Sequence, residues 1–540
     1  MTQDPPPTPT PKPQRPLVER AGWAVFWNVA FFPLKLLVPF LAGIVIVRQL
    51  RAEGFAVYVI SLALLDALGL FSDFGIERTL PRFFPEVELR HGRRGILRLL
   101  AAVAGIKGGV LLLVVAALAL APQAWIERFK LGEDGGYILL IIGCLLVLGA
   151  LSDVSIQLLY THFRQKATNA LDLLVAVVRP SLTAGFILLG WGVAGALLAL
   201  LIATVVSVVI SVWLAVRLVV RLPEVSNSNP DRVKTPSNRS LPSRIASFAG
   251  LNYLINWSVW LYDLDFVALM MALLIASEGR FFVENAAIAL AYKFTKEFLR
   301  ALVVPLTGVQ TPLFARLYAE NRIEGLRTAY ATLTKVLILG LLPAAVGLIL
   351  TGRNLLQIIY GQIGGDAVFN PQSASTIVIC TAILAVGLFG EAMISVALNV
   401  LLVYEDYRAV ILARLVSLVS IPLLIILIPP YGAVGGAIAI SCAGLGSRLV
   451  GLVLGLRRVG LRFPMSFFLR VGAASLVMGV VLLPLLVYLP PNIPVTAAMI
   501  LLGVAVFFGV FKLLGGMDAE DKARLLSLRL PFAKQIARVL

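Results

Sequence analysis

After residue 20 the chain alternates between long apolar runs and short polar connections. Each run reaches about 20 residues or more, the length a helix needs to cross a bilayer. Polar breaks and Gly/Pro punctuation predict spans over 21 to 47, 55 to 76, 96 to 121, 137 to 159, 169 to 190, 193 to 216, 245 to 275, 286 to 313, 328 to 351, 375 to 402, 409 to 428, 432 to 456, 465 to 489 and 494 to 515. The expected fold class is therefore an all-α polytopic membrane protein of about fourteen transmembrane helices. The first twenty residues hold Pro5, Pro6, Pro7, Pro9, Pro11, Pro13 and Pro16 and predict a disordered tail. The run that follows is longer than a signal-peptide core, contains Lys35 and lacks an Ala-x-Ala-type end, so it reads as a first membrane helix and not as a cleaved leader.

Composition strengthens this picture. The apolar set makes up 59% of the 540 residues and charged residues only 14%, against about 25% charged in an ordinary soluble domain. A net charge of +17 on a soluble protein would suggest nucleic acid. On an apolar chain it points to connections facing an anionic leaflet, and no nucleic-acid partner is expected. With the N-terminus cytoplasmic, and with Arg98 and Lys512 counted with the connections they adjoin, inside segments hold 30 Lys and Arg. Outside segments hold six: Arg48, Arg51, Arg128, Lys130, Arg280 and Arg353. That bias predicts both termini in the cytoplasm and an even number of spans. Cys144, Cys380 and Cys442 lie in apolar runs and read as buried packing, while His91 and His162 are far apart, so neither a metal nor a cofactor is expected. No nucleotide-binding Gly-rich loop occurs, and Asp263-Leu-Asp265 imitates a sugar-nucleotide metal motif only from the middle of an apolar span. An enzyme is not expected.

The chain also repeats itself. Glu53-Gly54 recurs as Glu278-Gly279, Pro81-x-Phe83 as Pro312-x-Phe314 and Gly95-Ile96 as Gly325-Leu326. Trp191-Gly192-x-x-Gly195-x-x-x-Ala199 recurs as Tyr431-Gly432-x-x-Gly435-x-x-x-Ala439. The shared order predicts two six-helix, pseudo-symmetric lobes of like orientation. The expected organisation is a tail at 1–20, an N-lobe at 21–221, a cytoplasmic linker at 222–244, a C-lobe at 245–458, two extra helices at 459–515 and a cytoplasmic amphipathic segment at 516–540.

Ionisable residues at bilayer depth cost roughly 2.5 to 3.5 kcal/mol each on insertion scales and require a partner, a wet cavity or an exit to the headgroups. Lys335, Arg414, Arg448 and Arg470 stand near cytoplasmic span ends and read as snorkelling side chains. Lys35, Asp66, Lys107, Arg179, Asp263, Asp265, Lys293, Lys296, Glu297, Arg300 and Glu391 lie deeper. In the eighth span Lys293, Lys296 and Arg300 stand at i, i+3 and i+7 and form one basic stripe, with Glu297 beside them. The stripe either meets an anionic ligand in an aqueous cavity or is neutralised by acids of the neighbouring span, where Asp265 is the expected partner of Lys296. Asn252, Asn256 and Asp263 share a face of the seventh span, and Asp66, Asp73 and Glu77 share one of the second. Arg179 precedes Pro180, which favours a kink, and reads equally as a structural plug or a ligand contact.

Arg48-Gln-Leu-Arg-Ala-Glu-Gly-Phe-Ala-Val-Tyr58, Ser72-Asp-Phe-Gly-Ile-Glu-Arg78, Pro312-Leu-Phe-Ala-Arg316 with Gly325-Leu-Arg327, and Tyr431-Gly-Ala-Val-Gly-Gly-Ala437 resemble the polysaccharide transporter (Wzx-like) flippases of the multidrug/oligosaccharidyl-lipid/polysaccharide (MOP) exporter superfamily. The resemblance implies two six-helix lobes around a central cavity, often with two extra helices, in a bacterial cytoplasmic membrane. It implies flipping of a polyprenyl-diphosphate-linked oligosaccharide for cell-surface polysaccharide biosynthesis. A cationic cavity of Lys293, Lys296, Arg300, Lys35 and Arg179 would receive the diphosphate. Asp66, Asp73, Asp263, Asp265, Glu297 and Glu391 become candidates for gating or ion coupling. Implied partners are the lipid-linked substrate and membrane lipids, with glycosyltransferases and a polysaccharide polymerase as optional associates. A cation-coupled multidrug exporter and a non-transporting scaffold of a polysaccharide synthase are the competing readings.

Overall fold

A computed structural model describes residues 17–161, 165–220, 241–360 and 371–516. The Pro-rich tail to residue 16, most of the linker and the amphipathic C-terminal segment lie outside the described residues. Every described element is helical, as a bilayer demands of a chain whose backbone polar groups must be satisfied within each segment.

The first half comprises α1 (Leu17–Asp73), α2 (Ile76–Leu120), the short α3 (Pro122–Phe129), α4 (Gly135–Thr161), α5 (Gln165–Leu188) and α6 (Gly192–Val220). The second comprises α7 (Leu241–Trp260), α8 (Leu264–Leu274), α9 (Phe281–Ala319), α10 (Ile323–Tyr360), α11 (Pro371–Leu384), α12 (Gly390–Ile394), α13 (Val396–Val403), α14 (Tyr407–Leu415) and α15 (Ser420–Arg458). A π-turn, Ala385–Phe389, joins α11 to α12. Finally α16 (Met465–Tyr488) and α17 (Ile493–Leu513) pack on each other and on α10. Within the first half α4 packs on α6 and α2, and α5 on α1 and α6. The halves meet where α1 lies against α8 and α9, and α2 against α7.

Ten described helices are long and apolar enough to cross a membrane, or eleven when the bent pair α7 and α8 is one span. Counted as continuous helices these are fewer than the expected fourteen, because two of them each hold two expected spans. α1 is two helices that meet at a non-helical break at Arg51 (φ 54°), each over one of the expected spans, and α15 is likewise divided at Gly432 (φ 52°). α9, over the expected eighth span, is not among the ten. The expected seventh span is not one helix: α7 and α8 meet at 63°, and Asp263 caps α8 by accepting from Leu264 N at 2.7 Å. A face drawn through Asn252, Asn256 and Asp263 therefore does not persist.

The two repeated Gly blocks have one conformational reason. Gly192 and Gly432 both take left-handed φ (56° and 52°). A Cβ on Gly195 would lie 2.4 Å from Trp191 Cβ, and one on Gly435 2.2 Å from the Leu427 carbonyl oxygen. Of the cysteines only Cys380 is buried; Cys144 and Cys442 are exposed, contrary to expectation.

Candidate functional site

Where α1, α5, α9 and the end of α10 converge, a cavity of about 490 Å³ lies between the halves. Lys35 and Arg179 line it from the first half, Lys293 and Arg300 from the second, and Glu297 is the one carboxylate in its wall. Lys293 projects over two aromatic faces, its Nζ 5.1 Å from the Phe55 ring and 5.3 Å from the Tyr58 ring. Arg179, beside Pro180, reaches the Tyr58 hydroxyl. Arg300 stands 3.9 Å from Glu297 on its own helix. Phe55 and Tyr58 escaped the sequence reading because aromatic residues in an apolar run carry no signal of which cation they will meet.

Lys296 is not part of this lining. Its Nζ lies 3.4 Å from both carboxylate oxygens of Asp263 and donates to the Tyr292 hydroxyl at 3.1 Å. Tyr292 in turn donates to Asp263 at 2.8 Å. The partner is thus Asp263 and not Asp265, because the break before α8 turns Asp263 toward α9. Asp265 instead hydrogen-bonds Asp66 of α1 and faces Lys293. Three carboxyl groups therefore adjoin the cationic wall.

The other acidic candidates lie elsewhere. Asp73 accepts from Asn256 Nδ2 at 2.7 Å and ties α1 to α7; the Glu77 side chain lies outside the described residues. Glu391 accepts from Arg448 Nε at 2.9 Å and stands 3.5 Å from the Tyr262 hydroxyl, which accepts from Arg414 Nη1 at 3.0 Å. Arg414 and Arg448 are thus not snorkelling: the half-buried Glu391 offers Arg448 a direct pair, and Tyr262 links Arg414 to it. Lys335 and Arg470 flank the Phe467 ring at 5.7 and 6.0 Å. Lys107 is neutralised by Asp153 at 2.9 Å. Among the described residues no cluster of His, Cys, Asp and Glu could hold a metal ion.

The model of a family described as polysaccharide biosynthesis protein matches residues 24–318, more than half of the chain. The chain belongs to this family. Its membership is that of the Wzx-like, flippase branch of the MOP exporter superfamily that the sequence motifs resemble. A second family model, lipid II flippase MurJ, matches residues 251–503. Comparison with the curated proteins finds no match. Among solved structures, a lipid II flippase MurJ in an inward closed conformation is 17% identical with a TM-score of 0.69, covering 90% of this chain and 98% of its own. An inward-facing multidrug resistance MATE transporter of the MOP superfamily is 16% identical with a TM-score of 0.54, covering 79% of this chain and 94% of its own. At those identities the likeness is one of fold: this family member is a multi-span, MurJ- and MATE-like membrane protein.

Proposed function

We propose that this family member flips a polyprenyl-diphosphate-linked oligosaccharide across the bacterial cytoplasmic membrane by alternating access, with both termini cytoplasmic. The observation that carries the reading is the convergence of four cations from three helices on one cavity between the halves, against a single carboxylate. A diphosphate leaving water needs charge-assisted donors, and Lys35, Arg179, Lys293 and Arg300 supply them from both halves at once. A ligand held from both sides is also one whose binding energy can move the halves. Asp66, Asp263 and Asp265, beside the same wall, fit gating or ion coupling. Glu391, engaged with Arg448, fits a structural partner instead. The first proposed experiment contrasts two neighbours on α9. Lys293→Gln and Arg300→Gln each remove a charge-assisted bond worth about 1.5 to 3 kcal/mol, so flipping in reconstituted vesicles falls about ten- to a hundredfold at limiting substrate while membrane level holds. Lys296→Gln removes a half-exposed ion pair and leaves Asp263 the Tyr292 hydroxyl and the Leu264 N–H, so it costs at most about 1 kcal/mol of stability and spares flipping, and Lys296→Arg, which keeps the charge, restores the stability. Normal flipping in both Lys293→Gln and Arg300→Gln overturns the proposal.

A further inference from the structure

A second cavity, of about 300 Å³, lies within the first half and apart from the first, between α2, α4 and α6. Its lining is apolar, with Leu97, Leu100, Leu158 and Val219 along the walls and Arg93 the one charged side chain. The floor is a satellite cluster in which Phe84, Ile96, Leu158 and Ala215 pack, separate from the main core. Val216 and Val220, at 55% and 57% exposed, form the mouth, so the crevice opens on the outer flank of the bundle. In a spanning protein that flank faces acyl chains. Besides Arg93 the lining holds one polar side chain, Ser155, whose hydroxyl donates to Leu151 O, so water finds few partners there.

Arg93 is the second observation. It is half-buried, and its Nε is shielded from solvent with no hydrogen-bond partner. A guanidinium nitrogen left so is free to take an acceptor from outside, and a phosphate fits its fork. Arg94 and Arg98 on the same helix are exposed, and Arg217 of α6 stacks 3.7 Å over Trp213. All lie at the end of the half where Arg244 pairs with Glu86 at 3.0 Å, the end that the charge bias assigns to the cytoplasmic leaflet. A basic mouth on an apolar slot between membrane helices has the chemistry to hold an anionic head group.

We propose that this crevice binds an anionic phospholipid of the surrounding bilayer, one acyl chain lying in the slot between α2, α4 and α6 and the head-group phosphate accepting from Arg93. The site is separate from the substrate cavity and does not depend on what that cavity carries. The test is lipid retention measured by native mass spectrometry on the purified full chain, offered equal phosphatidylglycerol and phosphatidylcholine. The wild-type protein retains phosphatidylglycerol preferentially, and Arg93→Gln lowers the preference about fivefold, the effect of one basic residue at a membrane surface. Arg93→Lys keeps most of it. Val216→Trp, at the exposed mouth where packing of the floor is undisturbed, lowers retention of both lipids. Equal retention of the two lipids by the wild type, or an unchanged preference in Arg93→Gln, overturns the proposal. So does displacement of the retained lipid by a polyprenyl diphosphate, which would give the slot to the transported substrate.

Discussion

Asp406, in the connection after α13, shows how much one charged side chain fixes outside the membrane. It caps α14 by accepting from Ala409 N at 3.1 Å, and it accepts from Arg458 Nη1 at 2.7 Å. Partial burial pushes its carboxyl upward, but the Arg458 hydrogen bond, the Ala409 N–H and the charges of Arg458 and Arg408 outweigh it and hold the group below the usual carboxylate range. A depressed carboxyl contributes stability that is complete above its unfolded value, about 3.9, and is lost as pH falls through the folded value. Asp406→Asn keeps a capping side chain but loses the ion pair. It should lower stability at pH 7 by only about 1 kcal/mol, since the pair is partly solvated. The difference in thermal midpoint from wild type should close as pH drops below the carboxylate range; an equal gap at pH 3 and pH 7 contradicts the assignment. Inside the membrane, single residues were legible by type and less so by partner. Spacing put Lys293, Lys296 and Arg300 on one helix strip, yet Lys296 meets Asp263 while Lys293 meets aromatic faces, and neither contact is encoded in α9 itself.

At the scale of elements, length and apolarity revealed the helices but not their interruptions. Arg51 breaks α1 with a left-handed φ that no Gly or Pro announces, so the sequence offers only a polar connection there. The α7–α8 bend depends on Asp263 choosing the Leu264 N–H as well as Tyr292 and Lys296. A pattern read along one helix cannot foresee that choice, because it is decided by α9. Gly432 was visible as part of a repeated block, and the structure supplies its reason: a Cβ there would lie 2.7 Å from the Glu284 carboxylate, which accepts from Ala433 N at 2.8 Å. Arg414 and Arg448 went the other way. Position near a span end suggested an exit to the headgroups, whereas Glu391 and Tyr262, brought alongside from two other elements, draw them inward.

For the whole molecule, side-chain contacts join connections that the charge alternation places on the same face. Arg48 donates to Ile359 O at 2.7 Å, Arg128 to Leu273 O at 3.2 Å, and Arg280 to Pro429 O. On the other face Arg327 donates to Val459 O at 2.8 Å, and Arg458 pairs with Asp406. Single cysteines test which face is which, in a chain whose native cysteines are replaced. Glu133→Cys in intact cells should react with an impermeant maleimide and Arg408→Cys should not; the reverse pattern inverts the topology. The halves come close at Gly75, which has a left-handed φ of 65° and lies so tightly against α7 that a Cβ would lie 2.4 Å from the Ala249 carbonyl oxygen. Phe74 stacks on Tyr253 next to it, ring centroids 5.6 Å apart. If the halves rock, this glycine is the place for a doorstop. Where position 75 keeps its left-handed φ as the face opens, Gly75→Ala bears the same backbone penalty in both states while its methyl group collides only when this face is shut, so it should wedge the transporter toward the state open there, tenfold in population for each 1.4 kcal/mol or so of clash. Cysteines at positions 74 and 253, joined by a short bifunctional thiol reagent, should then cross-link faster with Gly75 present than with alanine, and equal rates would mean that the face never parts.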